Sequence, residues 1–300
     1  MNRTRGQFLV GGALLLSIQV MQGQALTEPH TGALKREYRD GETIAYHMDA
    51  VNEGHLRTVR YEAEASAKVS REHAGPFSET FAWTSLIVNG QPLALTPASQ
   101  QFREGLSLSP DYTLSVPDLS KVQSILIGPI TDLLTFYADV QLALRQKDLV
   151  RTGDHVYVKH GTPNSWADGT YTVFGQDSID FDITLTKVDA TAQETTLTIR
   201  HVPPAVGQIP FPVAWMAAPV GRLPNNWVEV EKGQGKYSAE VGEETFEVVI
   251  KLSIPSGRIL SAKMDNPVDI LGRDCEDAAL TKCSAPSRYR ILRRVSLESR

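Results

Sequence analysis

The sequence predicts a mainly β protein, one strongly curved antiparallel sheet, half-barrel or barrel-like, with a short helical insertion packed on it. Three observations carry that expectation. Apolar and polar residues alternate with a period of two in six separate stretches, short turn signals stand between many of them, and only residues 119–146 follow helical spacing instead.

The longest alternation runs from Leu56 to Ser70. Val59, Tyr61, Ala63, Ala65, Ala67 and Val69 are apolar, and Thr58, Arg60, Glu62, Glu64, Ser66 and Lys68 between them are polar. Fifteen extended residues span roughly 50 Å, against about 17–20 Å for an ordinary strand, so such a strand must twist and bend. The same pattern recurs in Ser178–Val188, Thr195–Val202, Thr245–Ile254, Arg258–Met264 and Tyr289–Leu297. Asn89-Gly90, Asp168-Gly169, Gly233-Gln234-Gly235 and Pro255-Ser256-Gly257 read as turns joining antiparallel neighbours. Parallel strands would need long crossovers, which are absent, and a meander follows.

Between Leu119 and Gln146 two successive helices are expected. Val122, Ile125 and Leu126 mark the first; Ile130, Leu133, Leu134, Tyr137, Val140, Leu142 and Leu144 mark the second, with Pro129 in its first turn and Asp132 near its positive end. So wide an apolar stripe needs a sheet to lie on. Residues 89–118 read as a long surface connection with one more strand in Leu106–Leu114. The stretch 203–227 is a Pro-rich loop that is also apolar, and loops of that length are uncommon in compact domains.

At the N-terminus Arg3 and Arg5 precede an apolar run, Phe8–Val20, and the small residues Gly23 and Ala25 fit a signal-peptidase site. Residues 1–25 are therefore expected to be a cleaved signal peptide, and 26–300 a single β-rich domain. The run is shorter than the about 20 residues a membrane span requires, so no transmembrane segment is expected after cleavage. The destination is the periplasm or the outside of the cell. There, Cys275 and Cys283 are most simply one local disulfide. Loss of Arg3 and Arg5 with the leader takes the formal charge from -5 to -7, which argues against a nucleic-acid partner. Arg288, Arg290, Arg293 and Arg294 form the basic cluster, and a solvated strand face accounts for them.

Motifs for catalysis or cofactors are missing. There is no Gly-x-Ser-x-Gly elbow, His-Glu-x-x-His helix, phosphate loop or dinucleotide fingerprint. His155 and His160, five apart on a strand, point to opposite faces and cannot readily share a metal. Asp180 and Asp182, with Asp177 nearby, share a strand face, which leaves carboxylate-dependent hydrolysis as a distant alternative. No metal and no cofactor is implied.

The hairpin Lys251–Met264 and the segment Gly41–Tyr46 resemble stretches of exported β-rich envelope proteins of Gram-negative bacteria, some of which are similar to LolA-type lipoprotein-carrier half-barrels. That resemblance implies a curved sheet wrapping helices around an apolar interior that takes acyl chains; no ligand-binding residue is carried over from it. The expected function is thus that of an exported, non-enzymatic envelope protein binding an apolar small molecule such as a lipid. The alternative is a module that docks an envelope protein. Phe211, Val213, Trp215 and Met216 in the loop, with Leu134 and Tyr137 on the helix, are the candidate contact residues.

Overall fold

A computed structural model describes residues 34–54, 56–71, 75–115, 117–159, 173–204, 211, 213–233 and 235–300, with the backbone alone for 173–178. The expected signal peptide lies outside these residues, as do His160 and the Asp168-Gly169 turn.

Every long alternating stretch forms a strand. The chain begins with β1 (Thr43–Glu53), β2 (Thr58–Arg71), β3 (Phe77–Val88), β4 (Gln91–Pro92), a short helix α1 (Pro97–Gln101) and β5 (Glu104–Leu106). After the long helix α2 (Ser124–Leu144) come β6 (His155–Val158), β7 (Val173–Ser178), β8 (Asp180–Asp189) and β9 (Glu194–Val202). The remainder is β10 (Asn225–Gly233), β11 (Lys236–Glu244), β12 (Phe246–Ser253), β13 (Ile259–Cys275) and β14 (Ser287–Ser299). All fourteen strands join one antiparallel sheet, curled but not closed.

The sheet is a meander rejoined in the middle. Its order is β4-β3-β2-β1-β14-β13-β12-β9-β8-β6, so the first and last strands lie side by side, with Tyr46 opposite Ser299. The Asn89-Gly90 hairpin has both central residues at positive φ, +50° and +77°, the two-residue turn whose twist matches that of its strands. As its length demands, β2 bends: its register with β3 shifts between Glu64 and Ala65.

Two strands continue others in line. β13 pairs with β12 through its first half and β11 through its second. β9 and β10 lie end to end along that composite strand, His201 opposite Phe246 and Asn225 opposite Glu244. β9 and β10 are therefore two parts of one interrupted strand.

Three expectations are corrected. α2 is one helix of 21 residues that runs through Pro129, not a second helix starting there. Proline forfeits the bond to the carbonyl of Ile125. Burial of Leu126, Ile130 and Leu133 in one cluster outweighs that loss, since a fully buried Leu or Ile contributes about 1.5–3 kcal/mol. The connection after β4 is not a surface one: Leu106, Leu108 and Leu114 are buried, and Gln141 of α2 donates to the carbonyls of Ser107, Ser109 and Tyr112. Its strand covers only Glu104–Leu106. Arg293, finally, is buried rather than on a solvated face, because it shares the inward phase of β14 with Ile291, Val295 and Leu297.

The core lies on the concave face. Fifteen of the 21 residues of α2 are buried there, against Ile44, Met48, Ala63, Ala65, Phe81, Ile199, Val248 and Ile250. Among the described residues α2 is the one helix long and apolar enough to cross a membrane, and a helix apolar all round is also what a core requires. Cys275 and Cys283 are joined as a disulfide.

Candidate functional site

Polar side chains occupy the inward phase of several strands, where the alternation calls for apolar ones. On β3, Glu79 shares the phase of Phe81 and Trp83; on β9, His201 that of Leu197 and Ile199. Buried charge is expensive unless paired, so the partners of each side chain indicate what it is for.

Glu79 is fully partnered. Arg36 Nε and Nη2 each donate to Glu79 Oε1 at 3.2 Å, Tyr137 Oη donates to Oε2 at 2.8 Å, and Tyr46 Oη stands 3.4 Å from Oε2. Burial pushes the Glu79 carboxyl upward, and Arg36 and Tyr137 oppose it. Arg36 reaches this spot because Gly257, at φ +64°, lets the backbone of Lys35 pass; a Cβ there would lie 1.9 Å from the Lys35 carbonyl oxygen. Tyr137 is therefore a structural link between α2 and the sheet, and Leu134 packs in the same core.

A second cluster ties the same helix to β2 and β14. Asp132 accepts hydrogen bonds from Tyr61 Oη and from Arg293 Nη2. Burial pushes its carboxyl upward, with Arg293 and Tyr61 opposing. This ion pair is enclosed and each carboxylate oxygen has a donor.

Seven residues along, on the same side of α2 and about 10 Å away, Asp139 has no such support. Its Oδ1 stands 3.7 Å from His201 Nε2, and both side chains are buried. Among the described residues neither carboxylate oxygen and neither imidazole nitrogen has a hydrogen-bond partner. The imidazole is stacked on Phe246 (centroids 4.1 Å apart, 14° between planes) and meets Phe181 edge-on at 4.7 Å. Asn225, where β10 begins, donates from Nδ2 to the His201 carbonyl at 2.8 Å and keeps Oδ1 buried without a partner.

These residues belong to one belt across the concave face. Register places Asn52 of β1 opposite Arg293, Arg293 opposite Asn266, and His201 opposite Phe246; Asn266 donates to Glu244 and to the Thr245 carbonyl. On one side of the belt is the main apolar core. On the other, the inward face continues through Trp227, Val268, Ile270, Tyr289 and Ile291, with Glu229 directly opposite Glu240. Burial and the neighbouring Glu240 and Glu231 raise Glu229 to about 7. The unpartnered oxygens of the belt, on Asn52, Asp139 and Asn225, are all acceptors.

A further buried carboxyl, Glu104 on β5, lies opposite Phe81; neither of its oxygens has a partner among the described residues, and burial raises it to about 8. Trp83 Nε1, on the same inward phase, is likewise without one.

The apolar loop packs elsewhere. Met216 is buried, and Phe211, Val213 and Trp215 are half-buried around Val228, Val230, Ala239, Val241 and Leu280. Alternation puts those strand residues on the face opposite Trp227 and Gly242, so the loop covers the convex side, away from Leu134 and Tyr137. The disulfide loop anchors it: Trp215 Nε1 donates to the Leu280 carbonyl at 3.1 Å, and the Arg273 guanidinium lies 5.0 Å from the Trp215 ring centre.

Of the carboxylates read on β8, Asp180 is buried and accepts from Tyr157 Oη, and Asp182 meets His155 Nε2 at 2.7 Å. The side chain of Asp177 lies outside the description. No three His, Cys, Asp or Glu side chains among the described residues form a group able to hold a metal ion.

Asp139, His201, Asn225 and Asp132 were missed as site residues by sequence reasoning. A signal existed: two aspartates seven apart inside an apolar helix, and a histidine in the apolar phase of a strand. No protein-family model matches the chain, and no curated protein matches it either.

Proposed function

We propose that the protein is an exported, non-enzymatic envelope protein that binds an apolar molecule carrying a polar group, between α2 and the concave face of the sheet. The supporting observation is the interior itself. A continuous apolar core under an unclosed sheet ends at a belt in which buried polar atoms lack partners. Such atoms destabilise a closed fold by about 1–3 kcal/mol each, and a ligand that satisfies them repays it. The disulfide suits an oxidising compartment, in keeping with the N-terminal leader expected from the sequence.

Native mass spectrometry with organic extraction tests this on protein purified gently from an envelope fraction. A reproducible excess mass that extracts as an amphiphile is the expected result. A bare polypeptide, or a co-purifying protein in place of a small molecule, overturns it and favours docking.

A further inference from the structure

Resting on that reading, we propose that the belt at Asp139, His201 and Asn225 is a binding site for a protonated amine, so that the ligand is an amphiphile with an ammonium head. The site's chemistry is one-sided. Among the described residues Asp139 offers two acceptor oxygens without a hydrogen-bond donor and Asn225 Oδ1 a third, whereas His201 has one N–H to give when neutral. No Lys or Arg among the described residues pairs with Asp139; the nearest partner is the imidazole at 3.7 Å.

Charge points the same way. Arg293 is already engaged by Asp132, and Glu244, Glu229 and Glu240 stand on the inward face nearby. An anionic head would meet this field, with no Lys or Arg among the described residues paired to Asp139. An ammonium group brings three donors, and a positive charge, to this acceptor-rich cluster. The rings of Phe181 and Phe246 pack on the His201 imidazole, and the adjoining core would receive the chain.

The test is calorimetric titration of the full chain with three eight-carbon probes, n-octylamine, n-octanol and n-octanoate, alongside imidazole nitrogen shifts of His201. Octylamine should bind at least about tenfold more tightly than octanol, the range of a charge-assisted hydrogen bond, and should move the His201 resonances. Asp139→Asn should abolish that preference, and His201→Gln should weaken it. Equal binding of amine and alcohol, or an amine preference that survives Asp139→Asn, overturns the ammonium site but leaves the apolar-ligand reading standing. Failure of all three probes to bind overturns both. Should the variants not fold, the order of the three affinities in the unmodified chain decides.

Discussion

Asp132 and Asp139 sit on the same side of the same buried helix, two turns apart, and the sheet meets them differently. Tyr61 and Arg293 close on the first; the second faces an imidazole and no donor within hydrogen-bond reach among the described residues. A buried carboxylate with two donors is a clamp that fixes how the helix lies on the sheet. One that lacks them is a liability to the fold unless a ligand, an ion or an ordered water satisfies it.

The sharpest way to break the comparison is Arg293→Met. If Asp132 is a clamp, losing its cation leaves a buried charge and should lower unfolding free energy by about 3–5 kcal/mol in urea. A loss under about 1 kcal/mol would place the two aspartates in the same class.

Glu104 extends the comparison to another unpartnered carboxyl. Its folded value of about 8 lies above its ordinary 4.5, so the fold holds the proton more tightly than the unfolded chain does. That contribution is fully present below about pH 4.5 and is lost as pH rises through 8, by on the order of 5 kcal/mol. Glu104→Gln should flatten this part of the stability-pH curve, measured by denaturant titration at pH 5, 7 and 9.

Tyr61→Phe removes one donor from Asp132 and keeps the cation, so about 1–2 kcal/mol should be lost. Thermal melts of this variant and of Arg293→Met should rank in that order. The smallest effect belongs to Asp139→Asn. Replacing a carboxyl that has no hydrogen-bond donor among the described residues should change stability by less than about 1 kcal/mol, in the stabilising direction. A large loss in chemical denaturation would show that Asp139 is a clamp after all, with His201 as its partner.

Much of the fold was legible because the side-chain period of a strand is written locally. Alternation in residues 56–70 and 289–297, the Asn89-Gly90 turn and the closely spaced Cys275–Cys283 pair each needed only near neighbours. The apolar stripe of α2 was readable too. What lay beyond reach was the continuity of that helix through Pro129, since it depends on the core that buries Leu126 on one side of the proline and Ile130 on the other.

The site was decided by tertiary structure. By itself the sequence determined a curved antiparallel sheet, a helix to lie on it and a cysteine pair, because each follows from periodicity or short-range spacing. Only folding showed that β9 and β10 are two parts of one interrupted strand, that the apolar loop turns to the convex face, and that His201 and Asn225 meet across that interruption. It also gave Asp132 an arginine 161 positions away while leaving Asp139 beside a histidine at 3.7 Å. Whether a buried charge is satisfied depends on which distant strands lie opposite it, and no local pattern of residues carries that information.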